Sequence, residues 1–172
     1  MESEYYLGLG SNMGDKFNNI IKALYMIREA SGSLNVSGLY ETRPEGFTGQ
    51  PHFVNAVCQI WCKLDSFELM EWLKKLQLEF GDTRSFLNGP RILDIDILIS
   101  GSLVIQTPSL TIPHPRMFER EFVLRPLSEI APSLRHPIFG VTVIDLLNRL
   151  TPSGEVHKVR QSLQNGVLGF VK

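Results

Sequence analysis

The spacing of hydrophobic positions changes period several times along the chain, and each change predicts an element. Residues 5–11 read as a strand that ends at Gly10-Ser11-Asn12. Asp15 then fits a helix N-cap, and Phe17, Ile20, Ile21, Leu24 and Ile27 follow at helical spacing until Ser31-Gly32-Ser33 stops them. Residues 34–42 predict a second strand. Residues 42–51 hold two prolines and two glycines and form a loop longer than a plain hairpin needs, the kind that often carries function. Residues 53–62 predict a third strand with unlike faces. Val54, Ala56, Cys58 and Ile60 form an apolar face suited to a core under helices. Phe53, Asn55, Val57, Gln59 and Trp61 form a mixed face that offers an amide and an aromatic ring to a ligand.

Asp65 or Ser66 caps the next helix, whose stripe is Leu69, Met70, Leu73, Leu76 and Phe80. Gln77 falls on that stripe, and a polar group there needs a partner. Gly81 ends the helix, and residues 82–90 form a second long loop. Residues 92–100 predict a fourth strand, with Asp94, Asp96 and Leu98 on one face and Ile95, Ile97 and Ile99 on the other. Residues 103–105 suit a short edge strand, and 108–115 read as irregular. Residues 122–130 and 142–150 predict helices. The tail from Thr151 shows no assignable pattern. Strand, helix, strand, strand, helix, strand predicts a ferredoxin-like α+β sandwich. Its antiparallel sheet carries helices on one face, its other face is partly free, and C-terminal additions follow.

A length of 172 residues suits one domain over the whole chain, able to bury a core without staples. A formal net charge of -1 supplies no global field for nucleic acid, although a local arginine cluster can still bind a small polyanion. Cys58 and Cys62 would stand roughly 13 Å apart on a strand, too far for a disulfide, so both read as reduced core residues. The N-terminus has no basic and apolar leader pattern, and no apolar stretch reaches a membrane span of ~20 residues. These features predict a cytoplasmic protein.

The strongest chemical signal is Gly89-Pro90-Arg91-Ile92-Leu93-Asp94-Ile95-Asp96-Ile97-Leu98. Aspartates two apart on a strand point to one side, roughly 6.5–7 Å apart at the backbone. Acids are depleted in strands, and two that repel need a positive partner. Magnesium takes one or two carboxylates and completes its shell with phosphate oxygens and water. Arg84, Arg91, His114, Arg116, Arg120 and Arg125 surround the pair in sequence, and guanidinium groups hold phosphates bidentately. Gly8-Leu9-Gly10-Ser11-Asn12 matches neither nucleotide-loop pattern and reads as a tight strand-to-helix turn.

Four stretches together resemble the 6-hydroxymethyl-7,8-dihydropterin pyrophosphokinases of folate biosynthesis. They are Gly8-Leu9-Gly10-Ser11-Asn12, Tyr40-Glu41-Thr42 through Gln50-Pro51-His52-Phe53-Val54-Asn55-Ala56, the Asp94–Asp96 signature above, and Pro113-His114-Pro115-Arg116-Met117 through Arg120-Glu121-Phe122-Val123-Leu124-Arg125-Pro126-Leu127. The resemblance runs from about Tyr6 to about Leu150. It implies a ferredoxin-like fold and magnesium-dependent transfer of pyrophosphate from ATP to the pterin hydroxymethyl group, with AMP released. It implies that Asp94 and Asp96 ligate two Mg2+ ions, and that Arg84, Arg91, His114 and Arg120 contact the ATP phosphates. Gln77, Thr111 and the Ile97 backbone would complete the ATP site. Asn55 would bind the pterin edge, Phe53 and Phe122 would stack on its rings, and the stretch 42–45, with Thr42, Arg43 and Glu45, would supply backbone contacts. Partners would be these small molecules, with neither nucleic acid nor membrane, in a monomer or weak homodimer.

Gln77, Asp82, Leu87 and Asn88 depart from the family's usual glutamate, arginine, basic residue and tryptophan. They lie on or beside the loop expected to cover ATP, and a lost phosphate contact there would weaken closure by ~1–3 kcal/mol. That motivates an alternative: a non-catalytic homologue that binds pterin or nucleotide as a partner subunit.

Overall fold

The structure is a computed structural model and describes residues 1–46, 48–81 and 89–160. Its elements are β1 (Ser3–Ser11), α1 (Lys16–Ser31), β2 (Asn35–Val36), β3 (Leu39–Thr42), β4 (Phe53–Cys62) and α2 (Ser66–Glu79). There follow β5 (Asp94–Ile99), β6 (Ile105–Gln106), β7 (Thr111–Ile112), a 3-10 turn (Met117–Glu119), α3 (Glu121–Ile130), α4 (Val143–Arg149) and β8 (Val156–Arg160). The main sheet runs β5-β1-β4-β3-β8, and β2 pairs β4 beside β3. Every pairing in it is antiparallel. The two βαβ halves and this order give the ferredoxin-like sandwich.

Local chemistry sets the ends of the helices. Asp15 accepts from Asn18 N at 3.1 Å to start α1, and Gly32 closes it at φ 74. Asp65 and Glu68 form a capping box on α2. The predicted second strand is broken into β2 and β3 at Ser37-Gly38. There the Ser37 hydroxyl accepts the Val57 amide at 3.0 Å and takes over a ladder bond.

The first face of the sheet buries Leu7, Leu9, Val54, Ala56, Cys58, Ile95 and Ile97 beneath α1 and α2. The cysteines are both free and buried. The second face carries its own core, where Tyr6, Val57, Leu98 and Ile99 meet Met117, Val123, Leu124, Leu127 and Leu146. That face is free only where α3 and α4 stop. Ile99 belongs to this second core, not with Ile95 and Ile97 as alternation predicts. Leu7 pairs Ile97 and Tyr6 pairs Ile99, so Leu98 is an extra residue and the bulge turns Ile99 over.

Two further expectations change. The predicted edge strand at 103–105 is replaced by β6, which leaves Leu103 and Val104 exposed and pairs with β7 inside the stretch read as irregular. The unassigned tail supplies β8, which extends the sheet beyond β3. No helix among the described residues is long and apolar enough to cross a membrane.

Candidate active site

Strand register assembles the site in two cross-strand rows on the second face. Asp94 pairs Gly10, which pairs Asn55. Asp96 pairs Gly8, which pairs Val57. Adjacent strands lie ~4.8 Å apart, so Asp94 and Asn55 stand two strands, or about 10 Å, from each other. The glycines between them leave a hollow. A Cβ on Gly10 would meet Asn55 Oδ1 at 3.0 Å, and one on Gly8 would meet Leu98 at 3.2 Å. Close approach, and not nucleotide cradling, is what these two glycines provide.

The hollow opens into a cleft of about 740 Å3 lined by Thr42, Arg43, Glu45, Phe53, Asn55, Arg91, Asp94, Asp96, Arg120 and Phe122. Asn55 is held by its Nδ2, which donates to Thr42 Oγ1 at 2.7 Å. That leaves the Asn55 carbonyl oxygen available for a ligand's N–H. The Arg91 guanidinium lies 5.2 Å from the Phe53 ring centre, and Arg120 lies 5.4 Å from that of Phe122. Each of these two rings thus carries a guanidinium over it at the cleft.

A second cleft of about 930 Å3 lies at the outer edge of β5. Gln77, Asp94, Asp96, Ile97, Thr111 and His114 line it. Asp94 and Asp96 line both clefts. Gln77 is almost buried and finds the partner its position demands: its Oε1 accepts Ile95 N at 2.9 Å, and its Nε2 donates to Leu73 O at 3.2 Å. One helix side chain thereby fixes the backbone between the two aspartates.

His114 Nε2 lies 3.9 Å from Asp96 Oδ2. Burial first, and then the Arg120 charge, push its pKa down to about 4, although the Asp94 carboxylate opposes them. The ring is therefore neutral at pH 7, and its approach to Asp96 is not an ion pair. Its Nδ1 accepts the Arg116 amide at 3.2 Å, which leaves the proton on Nε2, facing the acids.

Arg91 Nη1 reaches Asp94 Oδ2 at 3.5 Å. Arg116 and Arg120 each approach Glu45 Oε2 at 3.4 Å. The Nε atoms of Arg91 and Arg120 are nevertheless buried without a hydrogen bond. An unmet buried donor costs ~1–3 kcal/mol, which an arriving anion offsets. The unmet Arg91 Nε, and Arg120 Nε beside Glu45, fit phosphate. Two hard carboxylates open to a phosphate-sized space fit magnesium, which needs no protein-only cage. Among the described residues no group of three or more His, Cys, Asp or Glu side chains gathers for a metal.

The structure brings Thr42, Arg43, Glu45, Phe53, Asn55 and Phe122 to the first cleft, and Gln77, Ile97, Thr111 and His114 to the second. Arg91 and Arg120 line the first cleft, and His114 lines the second. Arg84 and the departing Asp82, Leu87 and Asn88 lie outside the described residues. Sequence reasoning missed Asn12. Its buried side chain donates to Gln50 Oε1 at 2.9 Å and to Pro51 O at 3.0 Å, and accepts Arg91 N at 2.9 Å. It ties the bases of both long loops together, and its place at the end of the glycine run was the available signal.

The family model described as 7,8-dihydro-6-hydroxymethylpterin-pyrophosphokinase (HPPK) matches residues 6–132. The 2-amino-4-hydroxy-6-hydroxymethyldihydropteridine pyrophosphokinase of Aquifex aeolicus is 41% identical over 134 residues, which cover 78% of this chain and 84% of that protein. The protein of the same name from Bacillus subtilis is 41% identical over 132 residues, 76% of this chain and 79% of that one. The folic acid synthesis protein FOL1 of Dictyostelium discoideum is 38% identical over 154 residues, covering 90% of this chain. This chain spans only 23% of that longer relative. In fold, it superimposes on the Plasmodium falciparum HPPK-DHPS crystal structure with a TM-score of 0.72 at 16% identity, over 87% of this chain and 42% of that one. The chain belongs to the 7,8-dihydro-6-hydroxymethylpterin-pyrophosphokinase family.

Proposed function

We propose that the chain transfers pyrophosphate from ATP to the hydroxymethyl group of 6-hydroxymethyl-7,8-dihydropterin, as a step of folate biosynthesis. The observation that carries this reading is the meeting of two clefts at one pair of carboxylates. The pterin occupies the first cleft, its edge on Asn55 and its rings against Phe53 and Phe122, with Thr42, Arg43 and Glu45 at the rim. ATP occupies the second, against Gln77, Thr111 and the Ile97 backbone. The hydroxymethyl oxygen forms a bond to the β-phosphorus and the bond from that phosphorus to the α–β bridging oxygen breaks. AMP leaves with that oxygen, and the hydroxyl proton passes to solvent.

Asp94 and Asp96 would hold the two Mg2+ ions, and such ions would supply neutralisation of charge on the phosphate oxygens. Arg91 and Arg120, which line the pterin cleft, meet the phosphoryl group being transferred; a phosphate contact from Arg84, which lies outside the described residues, belongs to the same proposal. Neutral His114 donates from Nε2 on the ATP side. The work is positioning and electrostatic stabilisation, which is what phosphoryl transfer mainly requires.

The test is AMP release from ATP, magnesium and hydroxymethyldihydropterin. Pterin-dependent AMP is the expected result. Binding of both ligands without turnover would overturn the reading and leave a ligand-binding homologue.

A further inference from the structure

The rim of the first cleft is a thin wall. Thr42, Arg43, Glu45 and Phe122 line the pterin cleft on one side and a separate space of about 580 Å3 on the other. Thr42 is seated in the sheet through its pairing with Phe53, and Phe122 packs against the second core, so the two sides of the rim belong to different elements and what links them matters. One end is the last residue of β3; the other is the first turn of α3.

The segment Ser153–Val156 spans those two ends. Glu121, at the start of α3 beside Phe122, accepts from Ser153 N at 2.8 Å and from Ser153 Oγ at 2.7 Å through Oε2. Its other oxygen takes Arg125 Nε at 3.1 Å, and the Glu121 side chain is only 9% exposed. Three residues on, Val156 pairs with Thr42 at the head of β8, and Glu155 reaches Arg43 at 2.9 Å. Behind it, Glu129 accepts from Lys158 Nζ at 2.6 Å and from Gly38 N at 2.7 Å, and also from the Tyr40 hydroxyl. The strap is thus anchored to the sheet and to α3. It lies outside residues 6–132, which the family match covers.

We infer that the C-terminal strap Ser153–Val156, fixed by the Glu121–Ser153 bonds, sets the distance between Phe122 and the Thr42 rim and thereby positions the wall that grips the pterin. Glu121 and Ser153 are positioning residues; neither lines the pterin cleft. The strap makes no contact with the second cleft, so its loosening weakens one substrate and spares the other. This inference rests on the pyrophosphokinase reading.

The experiment compares Glu121→Ala, Glu121→Gln and Ser153→Ala with the unaltered full chain. KM is measured for each substrate, and pterin Kd by fluorescence titration. Glu121→Ala removes both Ser153 bonds and should raise pterin KM and Kd on the order of tenfold, with the KM for ATP within about twofold. Glu121→Gln keeps an acceptor and should restore most of the loss. Ser153→Ala removes one bond from an exposed turn, so it stays foldable if Glu121→Ala does not, and should give about a threefold rise. Equal changes in both KM values, or an unchanged pterin Kd in a cooperatively melting variant, would overturn the strap. An unaltered chain that releases no AMP would sink the pyrophosphokinase reading instead.

Discussion

Replacing Gln77 by Met tests how the two aspartates are held. Among the described residues β5 is the edge of the sheet, and Ile95 N donates to Gln77 Oε1 at 2.9 Å. Met keeps the length and apolar contacts of the side chain but removes the acceptor. The bond to Leu73 O matters less, because that carbonyl sits within α2 and keeps its helical partner. Leaving one buried donor unmet costs ~1–3 kcal/mol. Gln77 borders the second cleft, from which water can reach the amide, so the lower half of that range is expected. For a chain of 172 residues each kcal/mol lowers Tm by ~2–4 °C, which gives a fall of about 2–8 °C. Amide exchange is the sharper assay. Protection at Ile95 should drop by about five- to thirtyfold, more than at Leu7 or Val57 in the central strands. Gln77→Glu keeps an acceptor oxygen and should retain that protection. Unchanged exchange at Ile95 in the Met variant would refute the reasoning, whatever happens to Tm.

The other predictions address charge, space and metal. His114 titrates near 4 when folded against an ordinary 6.5, so the unfolded chain binds the extra proton between those values. Its contribution to stability is intact above pH 6.5 and is lost as pH falls toward 4; His114→Gln should flatten that part of the curve of urea midpoint against pH, and an unaltered slope would contradict the burial argument. Gly10→Ala places a Cβ 3.0 Å from Asn55 Oδ1, so it should raise pterin KM about tenfold and leave ATP affinity unchanged; equal loss for both substrates would mean a general distortion. Asp96→Ala should lower kcat on the order of a thousandfold, since metal-based charge stabilisation is worth several kcal/mol, and a variant that turns over normally would remove Asp96 from the metal site.

Much of this site was legible because a strand period of two leaves no freedom. Once residues 53–62 and 92–100 are strands, Phe53 and Asn55 share a face, and so do Asp94 and Asp96. The sandwich followed from element order and the helix caps. What the sequence hid has identifiable causes. The Leu98 bulge cannot be seen in a run of leucine and isoleucine, since every residue is apolar whichever way it faces. β8 carries only Val156 and Val159 as apolar residues, and as an edge strand it depends on β3 for its ladder. The resemblance implies that His114 and Arg120 both contact the ATP phosphates, and sequence alone does not say from which cleft each would do so. The 3-10 turn at Met117–Glu119 comes between them, and they line different clefts.

The position of the aspartates at a sheet edge explains why two clefts can share them. On a central strand, neighbours on both sides would leave a side chain open to one face only. Here β1 covers one flank of β5, while the outer flank is closed by single bonds, Gln77 to Ile95 N and His114 N to Leu98 O at 2.7 Å. Asp94 and Asp96 are thus reached across the face, over Gly8 and Gly10, and also from beyond the edge, past Thr111 and His114. A direct transfer between two bound molecules needs this kind of access, because donor and acceptor must approach the same phosphorus from opposite directions. In the proposed transfer the two glycines and the outer edge of β5 would act together: the first would let the acceptor lie low on the sheet, and the second would let the donor come in over its rim.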